Sequence, residues 1–425
     1  MSPVEVYKFG GASVRDASAI RNVAQILKSN SQRPLAIVVS AMGKTTNALE
    51  HIIRAHYQDP SGLPTLVAAL KTYHEEVAIT LLGDQADTLM TDLHDLWVEL
   101  NWILEEEPHP QYNYHYDQII VFGELAATKI VSAYLHAEHI THQWLDARGI
   151  IKTDAEYREA RILWELTQSA VDDIVRPALT QHGMIVTQGF IGSTVYNEST
   201  TLGREGSDYT AAILAYTLDA ASVTIWKDVP GIMTGDPKRF DNVVRLEEIS
   251  YTEAIEMTYY GAKVIHPKTI KPLQNKNIPL YVRPFDHPAE KGTKISTTAA
   301  RSLPPIIVVE PNQALFRIST KDFSFVAEEN LKEIFTYIAD LRIKVNSMRN
   351  TAISFMVCLT NDITKVSQLA SLLQDRYEIT CVEHIELITV RHADEETLHM
   401  LKDGKDILFE EVYGKTHQFI VNREI

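Results

Sequence analysis

The fold is decided within the first 27 residues, where Val4 to Leu27 has the sequence VEVYKFGGASVRDASAIRNVAQIL. Val4 to Phe9 is apolar enough for a short buried strand, and the glycines that follow predict a turn. Ala17 to Leu27 then repeats apolar residues with the period of an amphipathic helix. The stretch therefore predicts a strand, a glycine turn and a helix in direct succession.

The same order of elements returns further along the chain. Leu35 to Val39 predicts a buried strand, and Ser40-Ala-Met-Gly43 leads into a helix from about Thr46. Helical patterns fill Leu63 to His136, after which strands are predicted at Gly183 to Val186, Ser222 to Trp226 and Pro279 to Val282, with helices near Ser207 to Leu218 and Pro267 to Asn275. This alternation predicts an α/β domain with a parallel sheet covered by helices and a helical insertion.

A linker composition at residues 286 to 304, rich in proline, glycine, serine and threonine, predicts the domain boundary. We expect one domain over residues 1–295 and a second region over 305–425. In the second region, strands are predicted at Ile306 to Val309, Ala314 to Ile318, Ile353 to Leu359, Ile379 to Val382 and Glu386 to Val390, with helices between them. Two small α+β units fit this span, one at about 319–384 and the other from 305–318 plus 385–425.

Charge and composition exclude several classes of partner. The formal net charge of −16 would repel a phosphate backbone, so nucleic acid is not expected. No purely apolar stretch approaches the roughly 20 residues that cross a bilayer, and the N-terminus lacks a secretory layout. The two cysteines, Cys358 and Cys381, lie in runs that predict buried strands and make no disulfide framework, which favours a reducing cytoplasm.

Lys8-Phe-Gly-Gly11 puts a cation at a strand end and two glycines before a helix, where backbone amides and the helix dipole favour a phosphate. The alternative is a tight turn with a solvated lysine. Gly43-Lys44-Thr45 imitates the end of a P-loop, but the position five residues before Gly43 holds Val38 rather than glycine. A dinucleotide fingerprint is also missing, because no third glycine follows Gly10-Gly11 at the required spacing.

Thr200-Thr-Leu-Gly-Arg-Glu-Gly-Ser-Asp208 combines a guanidinium with a helix start. Arg204 there can bind a carboxylate through two hydrogen bonds, although helix capping by Ser207 and Asp208 with a solvated arginine is the alternative. Glu124 opens a helix, which is common for a surface acid. Two loops after the strand at Ser222, Lys227 to Gly231 and Thr234 to Lys238, have the composition of a nucleotide pocket at a sheet edge.

Taken together, these segments resemble the aspartokinases. The resemblance rests on seven motifs that occur in family order over residues 1–295: Lys8-Phe-Gly-Gly-Ala-Ser13, Val39-Ser-Ala41, Phe122-Gly-Glu124, Gln188-Gly-Phe190, Thr201-Leu-Gly-Arg-Glu-Gly-Ser-Asp208, Lys227-Asp-Val-Pro-Gly231 and Gly261-Ala-Lys-Val-Ile-His-Pro267. The last 120 or so residues are similar to paired ACT domains, which are ferredoxin-like. The resemblance implies the three-layer αβα amino-acid-kinase fold, with aspartate bound by the N-terminal part and ATP by residues from about 200 to 295.

The resemblance implies that the chain phosphorylates the side chain of L-aspartate with ATP and Mg²⁺, in the first step of lysine, threonine and methionine biosynthesis. It assigns Lys8 and Asp208 to catalysis. It assigns Ser40, Thr46, Glu124, Arg204 and Ser207 to the substrate, with Arg204 on the α-carboxylate and Glu124 on the ammonium. The nucleotide would contact Lys8, Gly10, Gly11, Ser13, Lys227, Asp228, Gly231, Met233, Asp236, Lys238 and Lys263. Lys227 and Met233 depart from the family, where threonine and tyrosine are common.

The resemblance also implies a regulatory role for the ACT region. An effector amino acid, lysine ahead of threonine, would bind near Phe325, Ala327, Asn346 and Ser347, and the ACT units would join chains into a homodimer or higher homo-oligomer. Dimerisation without an effector is the alternative for this region. For the whole chain, another amino-acid kinase such as a glutamate kinase, or a catalytically silent amino-acid sensor, stays open. We expect no homoserine dehydrogenase extension after Ile425.

Overall fold

The computed structural model describes residues 3–29, 34–262, 265–298, 302–322 and 324–422. They group into two compact units. The first comprises residues 1–232, 245–255 and 264–300, and the second comprises residues 233–244, 256–263 and 301–425.

The elements up to residue 300 alternate strands with helices. In chain order they are β1 (Glu5–Phe9), α1 (Ala17–Ser29), β2 (Leu35–Val39), α2 (Thr45–Gln58), α3 (Leu63–Leu82), α4 (Asp87–Glu105), α5 (Tyr112–Ile120), α6 (Phe122–Ala137), β3 (Gln143–Leu145), α7 (Ala147–Ile150), α8 (Trp164–Ala170), α9 (Arg176–His182), β4 (Met184–Gln188), β5 (Ile191–Ser193), β6 (Ser199–Thr201), α10 (Gly206–Leu218), β7 (Ser222–Lys227), β8 (Glu248–Ser250), α11 (Tyr251–Tyr259), α12 (Pro267–Asn275), β9 (Leu280–Pro284) and β10 (Thr293–Ser296). Short 3₁₀ turns occupy Gly11–Val14, Pro60–Gly62 and Gly83–Gln85, and a π-helical turn joins α8 to α9 over Val171–Val175.

The first unit is built on an eight-stranded sheet with the order β3-β4-β2-β1-β7-β9-β10-β8. Every described pair is parallel except β9 with β10, so the predicted mainly parallel sheet is confirmed. The central strands β1 and β2 are almost wholly buried, which explains their near-continuous apolar sequences. A separate two-stranded hairpin pairs β5 with β6.

The predicted helical insertion is confirmed as α3 to α6, which pack into the core of the first unit around Leu93, Trp97 and Leu125. The helical stretch Tyr112–Ala137 is long and apolar enough to cross a membrane by length and composition alone. However, 83% of the apolar 18-residue segment within this stretch is buried inside the protein, which is the environment of a core helix.

The second unit contains a six-stranded antiparallel sheet with the order β12-β13-β11-β14-β16-β15. Its elements are β11 (Ile306–Thr320), α13 (Glu328–Asp340), β12 (Val345–Asn350), β13 (Ser354–Thr360), α14 (Ile363–Leu373), β14 (Tyr377–Arg391), α15 (Glu395–Lys402), β15 (Ile407–Tyr413) and β16 (Thr416–Asn422). One apolar cluster lies under α13 and α14, and another lies under α15.

Two features of the second unit differ from the sequence prediction. The strands predicted separately on either side of Pro311 form one strand, β11, and those around Glu383 form one strand, β14. The register between them shifts at Glu310 to Gln313, and Asn312 and His384 adopt positive φ, so a bulge bends each strand without ending it. Cys381, which the sequence predicts to be buried, is exposed, because it lies in a run of β14, Thr380 to His384, that is exposed on both faces, whereas Cys358 is buried.

Candidate active site

Four neighbouring parallel strands end at one edge of the sheet, and most of the sequence-predicted site residues follow them. The strands are β4, β2, β1 and β7, and Lys8 on β1 is aligned with Val38 on β2 and Ile225 on β7. Because the carboxyl ends of parallel strands share an edge, the loops after all four strands meet there.

A buried cluster of charges lies at this edge. The Lys8 ammonium is 2.6 Å from Asp208 Oδ1, and the Lys227 ammonium is 3.8 Å from Asp208 Oδ2. The three side chains are 11%, 4% and 23% exposed for Lys8, Asp208 and Lys227. Two cations around one carboxylate leave the cluster with a net positive charge, which suits an anionic ligand.

Asp208 stays ionised in this environment. Burial raises its pKa, but the charges of Lys8 and Lys227 and the contact with Lys8 outweigh burial, so the net effect lowers the pKa of the Asp208 carboxyl. The carboxylate is held in the first turn of α10, whose positive helix end also favours a negative charge. Asp208 can therefore fix the direction of both lysine side chains.

The glycine turn after β1 lies next to the Lys8 ammonium. A Cβ atom on Gly10 would stand 3.4 Å from Lys8 Nζ, so the absence of a side chain leaves the cation open on that side. A Cβ atom on Gly11 would meet the Ala41 carbonyl oxygen at 2.8 Å, which means that only glycine permits this approach of the β1 and β2 loops. Ser13 is buried in the 3₁₀ turn that follows.

Glu124 is a buried carboxylate in the first turn of α6. Its Oε1 accepts a hydrogen bond of 3.4 Å from the Ala41 amide, and no described group satisfies its Oε2. Burial raises the pKa of Glu124 to about 8, and the hydrogen bond from Ala41 opposes the shift only in part. An unsatisfied buried carboxylate oxygen is costly, so Glu124 is suited to receive a cationic group from a ligand.

Contacts between loops bring the other predicted substrate residues to the same edge. The Ser40 amide donates to the Phe9 carbonyl at 3.1 Å, and Thr46 lies in the first turn of α2. A Cβ atom on Gly189 would stand 2.5 Å from Ser207 Cβ, so the loop after β4 is packed tightly on the start of α10.

Arg204 lies on the loop between β6 and α10 and is exposed. Within the described part of the chain, no carboxylate forms an ion pair with its guanidinium. The next residue, Glu205, adopts a positive φ of 55° and accepts a 2.9 Å hydrogen bond from the His266 amide. His266 in turn caps α12 by accepting from the Lys268 amide at 3.2 Å. His266 thus supports the Arg204 loop.

Ser13 and Asp228 line one cavity of about 250 Å³ beside α1, together with Asp16, Asn22, Phe285 and Asp286. Its three carboxylates outnumber its single guanidinium, that of Arg15, which makes this cavity unfavourable for a chain of phosphates. A hydrogen bond from the Ala19 amide lowers the pKa of Asp16, so this carboxyl is ionised at neutral pH. The cationic cluster around Lys8 is the better position for phosphate groups.

The remaining predicted nucleotide residues lie on the loops after β7. Gly231 has a φ of 145° and belongs to the first unit, where the adjacent Ile232 amide donates to Thr293 Oγ1 at 2.8 Å. Met233, Asp236 and Lys238 belong to the second unit, in which the Lys238 amide donates to Asp236 Oδ1 at 2.9 Å. Lys263 lies outside the described residues.

The predicted effector residues all lie in the second unit. Phe325 is 74% exposed, and Ala327 is the residue before α13. Asn346 and Ser347 are buried on β12, and no described group satisfies Asn346 Oδ1 or Ser347 Oγ. These unsatisfied atoms leave hydrogen-bonding capacity for a small polar ligand, and the effector role stays a prediction.

Two polar residues near the site were not identified from the sequence. Asp117 and Gln118 on α5 form hydrogen bonds to β6, the strand that leads to Arg204. The sequence signal is an aspartate in the middle of a helical stretch in which the next acidic residue is Glu124. As for metals, the described residues contain no group of three or more histidine, cysteine, aspartate or glutamate side chains that could hold an ion.

The chain matches the model of the amino acid kinase family over residues 3–284. It is 32% identical to lysine-sensitive aspartokinase 3 of Escherichia coli over 86% of this chain and 79% of that protein. It is 30% identical to a bifunctional aspartokinase/homoserine dehydrogenase of Arabidopsis thaliana over 88% of this chain, which spans only 42% of the length of that relative.

Solved structures agree with these matches. The structure of E. coli aspartokinase III in complex with lysine and aspartate superposes with a TM-score of 0.85 and 26% identity, covering 99% of this chain and 96% of that one. The complex of the same enzyme with aspartate and ADP gives a TM-score of 0.82. The predicted three-layer fold with C-terminal ACT units is confirmed by this likeness. By its family match and by its identity to the E. coli aspartokinase over most of the length of that protein, the chain belongs to the amino acid kinase family and, within it, to the aspartokinases.

Proposed function

We propose that this chain transfers the γ-phosphoryl group of ATP to the side-chain carboxylate of L-aspartate and forms 4-phospho-L-aspartate. The observation that carries the proposal is the buried pair of Lys8 and Asp208, with the partly buried Lys227 beside it, at the edge where four parallel strands end. Support also comes from the E. coli relative, whose structures contain aspartate with lysine and aspartate with ADP.

The reaction has a nucleophile that needs no general base. An aspartate side chain has a reference pKa of about 3.9 and is already ionised at neutral pH. The obstacle is the approach of two anions, which at about 4 Å and an effective dielectric of 20 repel each other by roughly 4 kcal/mol per pair of unit charges. Fixed cations at the reacting groups are therefore the main requirement.

Lys8 and Lys227 supply that positive field. Their ammonium groups are held 2.6 and 3.8 Å from the two oxygens of Asp208, so their charges are oriented before any ligand binds. In this proposal Lys8 contacts the transferred phosphoryl group, Asp208 orients Lys8, and the amides of the Gly10-Gly11 turn cradle the phosphate chain. Mg²⁺ would be carried by the phosphates and would neutralise part of their charge.

The amino-acid end of the substrate is assigned to Glu124 and Arg204. The unsatisfied, buried Glu124 Oε2 is suited to the α-ammonium group, and the Arg204 guanidinium, which has no carboxylate partner among the described residues, is suited to the α-carboxylate. Ser40, Thr46 and Ser207 complete this pocket in the proposal. Recognition of both charges selects an α-amino acid.

The nucleoside part of ATP is assigned to the loops after β7, to the turn after β1 and to the Gly261 to Pro267 motif. The residues proposed to contact it are Ser13, Asp228, Gly231, Met233, Asp236, Lys238 and Lys263. Support comes from the ADP complex of the E. coli relative and from the matching loop sequence.

The experiment is a coupled assay of ADP formation with purified protein, ATP and Mg²⁺, started with L-aspartate. We expect turnover with aspartate and not with L-glutamate, a kcat reduced by about 10³-fold in Lys8→Met, and a raised KM for aspartate in Arg204→Ala. Lys271→Met and Arg54→Ala, which remove exposed charges from α12 and α2, are matched controls. Wild-type turnover in Lys8→Met would refute the mechanism, and turnover with glutamate alone would assign a different amino-acid kinase.

We also propose that the C-terminal unit binds an effector amino acid, lysine ahead of threonine, and joins chains into a cytoplasmic homodimer or higher homo-oligomer. Support comes from the unsatisfied Asn346 and Ser347 atoms and from the lysine complex of the E. coli relative. Inhibition requires that the effector binds an inactive conformation more tightly than the active one. Activity that is unchanged in millimolar lysine, threonine and methionine would contradict the regulatory role.

A further inference from the structure

The hairpin strand β6 has one edge that its partner strand does not cover. β5 pairs with β6 through Gly192 opposite Thr200, so the backbone groups of the flanking residues Ser199 and Thr201 point to the other side. A free strand edge near an active site would leave polar backbone groups unpaired. Two side chains of α5 meet this edge.

Gln118 and Asp117 take the place of a neighbouring strand. Gln118 Nε2 donates to the Ser199 carbonyl at 2.9 Å, and the Ser199 amide donates to Gln118 Oε1 at 3.1 Å. The Thr201 amide donates to Asp117 Oδ2 at 2.8 Å, and the Thr201 hydroxyl donates to Asp117 Oδ1 at 2.8 Å. Four hydrogen bonds thus connect two consecutive residues of a helix to alternate residues of β6.

Asp117 also holds a second loop. Its Oδ2 accepts from the Arg158 amide at 2.9 Å, and Arg158 adopts a φ of 72°, which is uncommon for a residue with a side chain. Burial raises the pKa of Asp117 to about 6, while the three donors oppose the shift, so the carboxyl is mostly ionised at neutral pH and acts only as an acceptor. Asp117 therefore ties two separate segments, β6 and the Arg158 loop, to α5.

The two ends of this connection lead to the two groups that are assigned to the substrate. Thr201 is three residues before Arg204, and Asp117 is seven residues before Glu124 in the helical stretch Tyr112–Ala137. α5, which carries Asp117, ends at Ile120, and α6, which carries Glu124 in its first turn, begins at Phe122, so a single residue joins the two helices. The position of β6 on α5 therefore determines how far the Arg204 loop lies from Glu124.

We propose that Asp117 and Gln118 are positioning residues for amino-acid recognition, which hold β6 at the distance where Glu124 and Arg204 can bind the ammonium and carboxylate of one substrate. This inference rests on the proposed function. Its physical basis is that a shift of about 1 Å in a binding group can cost up to 10²-fold in a reaction that needs both groups.

The test is a pair of KM measurements on the full chain. In Asp117→Ala, three hydrogen-bond donors, two of them buried, lose their acceptor, and we expect the KM for aspartate to rise about tenfold or more while the KM for ATP stays within about twofold. Asp117→Asn should recover most of the affinity, because its amide oxygen can accept from both backbone amides while the Thr201 hydroxyl rotates to accept from its NH₂ group. Asp92→Ala, which removes a half-exposed carboxylate from α4, is the matched control.

If Asp117→Ala does not fold, Gln118→Ala and Thr201→Val each remove only part of the connection, and a KM for aspartate raised about threefold or more supports the inference. A variant that lowers the melting temperature and kcat but leaves both KM values unchanged, or raises both equally, would overturn it and assign the contacts to folding alone. Wild-type protein without aspartate-dependent turnover would instead refute the proposed function, and the inference with it. An active wild type with unshifted variants refutes the inference only.

Discussion

Glu124 gives the sharpest prediction about ligand binding, because its carboxyl is buried and the described residues form a hydrogen bond to only one of its oxygens. Burial raises its pKa to about 8, so the empty site holds Glu124 mainly in the protonated form at neutral pH. A ligand ammonium requires the ionised form. Binding of aspartate must therefore release a proton at any pH below about 8.

The size of the effect follows from the fraction of Glu124 that is ionised. With a pKa of about 8, that fraction is about 1% at pH 6, about a tenth at pH 7 and about half at pH 8. The affinity for aspartate should therefore increase about fifty-fold between pH 6 and pH 8. Glu124→Gln removes the titration, so its affinity should be weak and independent of pH over the same range.

Isothermal titration calorimetry with aspartate in buffers of different ionisation enthalpy measures both quantities. We expect about 0.9 proton released per aspartate bound at pH 7 in the wild type, and none in Glu124→Gln. The assignment of Glu124 to the ammonium group would be refuted if the wild type bound aspartate with the same affinity at pH 6 and pH 8 and released no proton. Folding stability changes with pH in the opposite direction to aspartate affinity. Because the pKa of Glu124 is raised in the folded state, the neutral carboxyl supports stability below about pH 4.5, and that contribution is lost as the pH rises towards 8.

Three further predictions concern stability. Asp208→Asn should lower the free energy of unfolding by about 3 kcal/mol at pH 7, because Lys8 and Lys227 lose their buried partner, and a urea midpoint equal to that of the wild type would contradict this. Gly189→Ala, whose Cβ would stand 2.5 Å from Ser207 Cβ, should cost about 1–3 kcal/mol, whereas Gly149→Ala, with no atom within 4 Å, should cost less in the same urea titration. Burial lowers the pKa of His74 to about 4, so its neutral form supports stability above about pH 6.5, and that support is lost on acidification towards pH 4. His74→Gln should therefore reduce the slope of the unfolding free energy against pH by up to about 1.4 kcal/mol per pH unit. Equal slopes in the variant and the wild type would exclude this role.

Much of the fold could be predicted because its signals are local. The strand, glycine turn and helix at Val4 to Leu27 match β1, the 3₁₀ turn and α1, since burial on both faces requires a continuous apolar strand and one-sided burial requires a helical period. Strands of three residues, such as β5 and β6, carry too few residues for a period to be recognised. The sequence predicts strand ends at the bulges in β11 and β14 for another reason. Polar residues such as Asn312 and His384, which adopt positive φ there, are typical of turns.

The sequence by itself determined which chemical groups are available: a lysine before two glycines, an arginine before a Ser-Asp helix start, and a glutamate at a helix start. Only the tertiary structure decided their partners. Lys8 meets Asp208 and Thr201 meets Asp117 across long separations in sequence, and Glu124 acquires its raised pKa from burial under other elements. The physical reason is that side-chain identity and period are properties of neighbouring residues, whereas desolvation and charge pairing depend on what the folded chain brings within a few ångströms.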